Sequence, residues 1–316
     1  MKPIIYNAAP KLRHNMRGFT IVELMISMVL GLVLVGAAAS VMISNSQSFR
    51  TGKSLAQVQN SARMGFELMA RDIRQAGSIP CGSSINIDNL ITNTAWYYDW
   101  ENSGNGQFVG YSSTDAISGI TNRASGTEAV SIAYVENYGS SLTASGIDTY
   151  KFSRSHSQFK SGDVVFVCDS SKGSVFIANI SAADSNNIVT VTAAPTVNTH
   201  SQPGTFEKNS VVGKLKSRTW YIAADSDGNK SLYLAELSDT GLVTIEIAAG
   251  ITDLEFSYRL SDTSSFKSAS DIGNDWPLVN AVQVTYTLES QDKNATESGH
   301  LERKFTSIVA LRSRIL

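Results

Sequence analysis

Charge is what this 316-residue chain has least of: Asp, Glu, Lys and Arg make up 17% of it, against about a quarter of an average soluble domain. The formal charge is −2, so the basic footprint that phosphate backbones select is missing and direct nucleic-acid binding is disfavoured. The same shortage argues against a coiled coil, whose outer positions need charge. Six Pro and 23 Gly exclude collagen-like and proline-rich scaffolds, and two Cys are too few for a disulfide-built miniprotein. Small polar residues fill the gap, Ser alone occurring 44 times. An apolar fraction of 42% supports a sizeable core, and the length suits one large domain or two ordinary ones.

Catalytic patterns are also lacking. The sequence holds no G-x-S-x-G elbow, no G-x-x-x-x-G-K-[ST] loop and no H-E-x-x-H pair. His156, His200 and His300 have no second His or Cys at ligand spacing, so no metal site is expected. No cofactor is expected either, and the chain reads as a non-enzyme.

What the chain does have is concentrated near its start. Residues 1–18 carry Lys2, Lys11, Arg13 and Arg17 and no acid, and from Phe19 to Ile43 every residue except Glu23 is apolar, small or hydroxylic. Twenty-five helical residues extend about 37 Å, more than a hydrocarbon core of about 30 Å. The cations before this span place the amino terminus in the cytoplasm and the remainder outside. A secretory signal cleaved after Ala37-Ala38-Ala39 and an uncleaved anchor are two readings of such a segment. Glu23 counts against both, because an ionised carboxylate in lipid costs on the order of 2.5–3.5 kcal/mol and is usually there for a purpose. Its shallow depth, only about 6 Å in, lets it snorkel and keeps the anchor reading open.

The run Arg17-Gly18-Phe19-Thr20-Ile21-Val22-Glu23-Leu24 resembles the processing site of type IV prepilins and of the pseudopilins of type II secretion. The resemblance implies that a prepilin peptidase cuts between Gly18 and Phe19 and methylates the new amine of Phe19. That amine stays cationic and gives Glu23 of a neighbouring subunit the partner it needs in apolar surroundings. Loss of Lys2, Lys11, Arg13 and Arg17 takes the formal charge from −2 to −6.

Beyond Ile43 the helical pattern continues. Leu55, Val58, Ala62, Gly65, Met69, Ile73 and Ala76 form one stripe, with Lys53, Gln57, Arg63, Glu67, Arg71 and Asp72 on other faces. Gly77 and Pro80 mark the stop. One helix from about 19 to 76 is expected, its outer half packed on a sheet. Major pilins commonly place a Pro in the membrane half, where this chain has only Gly31 and Gly36.

From residue 78 onward short apolar runs alternate with turn clusters. Expected strands are Ala129–Tyr134, Asp163–Cys168, Val175–Ile180, Ile188–Thr192, Arg218–Ala223, Ser231–Leu237, Val243–Ile247, Leu254–Leu260, Ala281–Leu288 and Lys304–Leu311. Asp225-Ser226-Asp227-Gly228-Asn229 reads as a hairpin turn in preference to a calcium loop, since no Glu follows at the required distance. Residues 82–127 read as a long loop whose aromatics, Trp96, Tyr97, Tyr98, Trp100, Phe108 and Tyr111, mostly cover the edge of a sheet, with a docking surface as the reading for a minority of them. Outside the membrane, Cys81 and Cys168 suit a disulfide rather than a metal site, with two separate buried thiols as the other reading. Closing that loop stabilises by roughly 4–5 kcal/mol on the chain-entropy view.

Later segments add to the resemblance: residues 68–77, 162–168, 218–222 with 231–234, 249–256 and 309–314 look like the PilW family of minor pilins, and in part like the J-type minor pseudopilin. The resemblance implies an α+β, pilin-like fold: leader 1–18, transmembrane half-helix 19–43, periplasmic amphipathic half-helix 44–77 and β-rich head 78–316. It implies an inner-membrane protein with its head in the periplasm, later part of a surface pilus. Expected partners are other minor pilins and the major pilin through the helix, the peptidase, and a tip adhesin. The implied role is priming of pilus assembly at or near the tip, with twitching, attachment and DNA uptake dependent on it. A secretion pseudopilin and a membrane-anchored adhesin outside any fibre are the competing functions.

Overall fold

The computed structural model describes residues 18–315 apart from 83–84, 94, 101–105, 147–148, 153–158, 182–188, 194–203, 226, 239–240 and 297–298. Leader residues 1–17, His156, His200 and Ser226 therefore lie outside the described residues. The chain forms two compact units, Met1–Gly52 and Lys53–Leu316.

Helix α1 spans Ile21–Gln75. In the first unit its large apolar side chains are exposed, among them Ile21, Leu24, Ile26, Leu30 and Val33. No Pro interrupts it, so every backbone amide past the first turn can bond within the helix.

In the second unit the expected stripe is the buried face: Val58, Ala62, Gly65, Met69, Ile73 and Ala76 are all buried, and Leu55 is half-buried. At Gly65 the helix lies close against the sheet, since a Cβ there would sit 2.8 Å from Ile251 Cδ1 and 3.0 Å from Leu232 Cδ2. Gly77 takes φ 70°, a conformation that glycine adopts without a steric penalty, and ends the helix. Its N–H then donates to Ala133 O at 2.8 Å, which fastens the helix end to the sheet. One position departs from expectation: Asp72, read as lying on another face, is fully buried. The buried arc is wider than the apolar stripe because polar groups on the sheet rise to meet it.

Thirteen strands follow among the described residues: β1 (Asn86–Asn89), β2 (Phe108–Tyr111), β3 (Ala129–Ser145), β4 (Thr149–Phe152), β5 (Val164–Cys168), β6 (Lys172–Ile180), β7 (Val189–Ala193), β8 (Val211–Ala224), β9 (Lys230–Ser238), β10 (Gly241–Ala249), β11 (Ile251–Leu260), β12 (Val279–Glu289) and β13 (Glu302–Ala310). The fold is α+β, and the pairing is antiparallel except between β1 and β6. Each of the ten expected strands is present. The three additional ones, β1, β2 and β4, are only four residues long, too short for a pattern to identify them, so their partners define them.

The large sheet runs β10-β9-β8-β5-β6-β7-β4-β3-β2, with β8 also paired to β3. That extra pairing closes β8-β5-β6-β7-β4-β3 into a ring. The long β3 makes closure possible, pairing with β8 through its first part and with β4 near its end. Inside the ring pack Leu142, Tyr150, Val165, Val167, Phe176, Val191 and Val212. A separate core joins α1 to Val130, Ile132, Trp220, Ile222, Leu232 and Leu234 of the large sheet and to Leu254, Phe256, Val282 and Val284 of the small sheet β11-β12-β13. Alternation along β8 lets one strand serve several cores.

Cys81 and Cys168 form a disulfide with Cα atoms 6.1 Å apart, joining the chain just beyond α1 to the end of β5. Within the 82–127 tract, Trp96, Trp100 and Phe108 are buried and Tyr97, Tyr98 and Tyr111 half-buried, so its aromatics chiefly cover the sheet. Asp225 closes the β8–β9 turn: its N–H donates to Asn229 O at 3.0 Å, and its carboxylate accepts from the N–H groups of Asp227 (2.9 Å) and Asn229 (2.8 Å). The carboxylate is thus occupied by the turn itself. Among the described residues no group of three His, Cys, Asp or Glu is placed to hold a metal.

Candidate processing and assembly site

The site is built from the first residues of α1 and the three that precede it. Gly18, Phe19 and Thr20 are non-helical and exposed, Phe19 to 78%. A Cβ on Gly18 would meet nothing within 4 Å, so the peptide bond after it is open on the glycine side. Thr20 starts the helix. Its hydroxyl accepts the Glu23 N–H at 3.2 Å and its carbonyl accepts the Leu24 N–H at 3.1 Å, satisfying two amides of the first turn. The spacing Thr20-x-x-Glu23 is that of a capping box, a signal present in the sequence and missed there.

Glu23 therefore has two local reasons to be where it is: it lies in the first turn, next to the positive end of the helix dipole, and three residues after the cap. Neither requires it to be exposed in an apolar span. Its side chain is exposed, and among the described residues no cation lies against its carboxylate. Around it Phe19, Ile21, Val22, Leu24, Met25 and Ile26 are all more than half exposed. The helix is long and apolar enough to cross a membrane, and none of its most apolar stretch is buried. Polar side chains within that stretch turn back on the backbone: Ser27 Oγ donates to Glu23 O at 2.7 Å and Ser40 Oγ to Ala37 O at 2.9 Å. Glu23 is thus the only described side chain between Phe19 and Ile43 that brings a formal charge.

A second polar centre lies inside the Lys53–Leu316 unit. Asp72 accepts from Arg218 Nη1 at 2.9 Å and Trp220 Nε1 at 3.1 Å, and Arg218 Nε donates to Glu236 Oε2 at 2.8 Å. The Arg218 guanidinium also stands 5.8 Å from the centroid of the Tyr134 ring. Burial pushes the Asp72 carboxyl up, with Arg218 opposing. Burial, with Asp72 second, pushes the Tyr134 hydroxyl up to about 12. Burial works against the charge on Arg218, yet Asp72, Tyr134 and Glu236 together hold its pKa above the usual value. Its charged groups are bonded to one another across the helix–sheet contact, which makes the centre a buried lock between helix and sheet. Its members come from α1, β3, β8 and β9, too far apart in sequence for spacing to have signalled them.

Residues 13–39 match the family model of the prokaryotic N-terminal methylation motif. Neither the curated proteins nor the solved structures contain a match to the chain. The matched stretch contains Gly18, Phe19 and Glu23 and ends inside the apolar part of α1. With one long helix leading into an antiparallel-rich β unit, that motif supports a type IV pilin or pseudopilin, processed by a prepilin peptidase and assembled with other pilins.

Proposed function

We propose that this chain is a minor pilin of the PilW type, which primes type IV pilus assembly and stays at or near the fibre tip. The observation that carries the reading is Glu23, a lone carboxylate on an exposed apolar helix four residues after a glycine–aromatic junction inside a methylation motif. On this reading the peptidase cuts between Gly18 and Phe19 and methylates Phe19, and Glu23 fixes register by meeting the amine of the adjacent subunit. The apolar helix moves from lipid into the fibre's helical bundle without exposing its surface to water. Before assembly the head lies in the periplasm, where Cys81 and Cys168 stay oxidised. The chain has no catalytic role of its own; it is a substrate for processing and then a structural subunit.

The large β-rich head favours a cap over a repeating unit, because close helical stacking leaves little lateral room per subunit. The methylation motif also heads secretion pseudopilins, so location decides between the two readings. In fibres sheared from the cell surface, antibody against the head is expected to label fibre ends, with the chain present at low copy number. Its absence from such fibres, together with copurification with secretion components, contradicts the pilus reading.

A further inference from the structure

Outside the site already described, the largest unmatched feature is electrostatic. Lys53, Arg63, Glu67, Arg71 and Arg74 all lie on the exposed side of α1 within the second unit. At about 100° per residue they fall within an arc of about 80°. Four of the five are cationic, although the chain without its leader is at −6. Arg63 is tied to Glu67 at 2.8 Å and Arg71 lies 3.8 Å from Asp72, while Lys53 and Arg74 have no acid partner among the described residues.

The same unit carries a complementary surface. An open depression of about 970 Å³, bounded by the β8–β9 turn and by parts of β10, β11, β12 and β13, is lined by Asp225, Asp227, Glu246, Asp253, Glu289 and Glu302. Only Lys230 and Lys293 offset them. Burial and the neighbouring Glu255 push the Asp253 carboxyl up, as expected where acids crowd. The trough is level with the stripe. Gln291 on its rim accepts a hydrogen bond from Gln57 Nε2 at 2.7 Å, and Ala248 and Ile251, beside its lining residues Ala249 and Gly250, pack at Gly65. The trough thus borders the stretch of α1 from Gln57 to Gly65, which includes Arg63 of the stripe. Among the described residues no base of the stripe is ion-paired to a trough acid of its own chain.

We infer that the basic stripe of one chain docks against the acidic trough of a second copy standing beside it. Two copies at one level bring the two surfaces face to face, and the contact is heterologous, stripe to trough. Exposed ion pairs are individually weak. Here several act together, and anchoring in one membrane raises the effective concentration of the partner. The inference goes beyond the pilin reading, because a contact between copies of this chain requires neither leader cleavage nor entry into a fibre.

The test uses the full-length chain in detergent micelles, with self-association read by sedimentation and by chemical crosslinking. The double variant Lys53→Glu/Arg63→Glu is expected to weaken self-association about tenfold at low ionic strength, the effect of losing two to three modest pairs. The double variant Asp227→Lys/Glu246→Lys is expected to do the same. All four changes in one chain are expected to restore association to within about twofold, because the charges are exchanged and not removed. Unchanged association on reversing the stripe overturns the inference, as does failure of the fourfold variant to recover. In a parallel arm the stripe variant is mixed with phosphatidylglycerol vesicles. Lost vesicle binding, with a fourfold variant that stays monomeric, assigns the stripe to anionic lipid and also overturns the inference. Piliation is scored separately, so failure here is distinguishable from failure of the pilin reading.

Discussion

Replacing Glu23 by Ala is expected to leave the β-rich head folded and to remove the chain from surface fibres. The substitution makes the span more apolar: a carboxylate costs on the order of 2.5–3.5 kcal/mol in lipid, so the variant inserts at least as well as the parent. What it loses, on the proposed function, is the counter-charge to a neighbour's terminal amine. In a medium that cannot solvate either charge, an unpaired ammonium costs several kcal/mol, which amounts to a loss of docking of more than about a hundredfold. The structure adds a control. Because Glu23 follows the cap Thr20 at capping-box spacing, Ala also weakens the first turn, by about 0.5–1 kcal/mol. Glu23→Gln keeps a capping side chain and removes only the charge. Fibre entry is expected to fail in the Gln variant as well, as scored by immunoblot of sheared fibres. If Gln restores entry, Glu23 is a helix cap and its assembly role is refuted.

Asp72→Ala is expected to destabilise the Lys53–Leu316 unit by about 3–5 kcal/mol. Asp72 is fully buried and receives both Arg218 and Trp220. Without it, Arg218 keeps Glu236 but loses the more deeply buried of its two counter-charges, and the Trp220 indole N–H is left without an acceptor. The loss falls where α1 meets the sheet, so it loosens the helix specifically. The measurement is the denaturation midpoint of the full chain in detergent, with near-ultraviolet circular dichroism reporting Trp220. A shift equivalent to less than about 1 kcal/mol, the scale of an exposed pair, contradicts the lock assigned to this centre. Asp72→Asn retains an acceptor for Trp220 and is expected to cost less than Ala.

The two predictions also separate what could be read from sequence from what could not. The apolar stripe from Val58 to Ala76 was legible because burial on one helix face writes a 3.6-residue period into the chain. Its end at Gly77 was legible because few residues other than glycine take φ 70° at low cost. Strands such as β5 and β12 declared themselves through repeated Val with Phe or Tyr, whereas β1, with sequence Asn-Ile-Asp-Asn, is a strand only because β6 lies beside it. Closure of the β8-β5-β6-β7-β4-β3 ring was hidden for the same reason, since pairing partners far apart in sequence leave no local pattern. Asp72 was misplaced by a rule that sends charges outward; its burial depends on Arg218 and Trp220, about 146 and 148 residues away. At the candidate site the order reverses. Gly18, Phe19 and Glu23 were conspicuous because a carboxylate in an apolar span violates local chemistry, and the matched methylation motif at residues 13–39 contains all three.

The central claim is that Phe19 is the first residue of the working protein and that its amine answers Glu23. Mass spectrometry of the amino-terminal peptide of the chain purified from its native membrane tests this directly. The account predicts a peptide that begins at Phe19 and is heavier than the unmodified sequence by one methyl group on the terminal nitrogen. A peptide beginning at Ser40, or one that retains Met1 through Gly18, contradicts it.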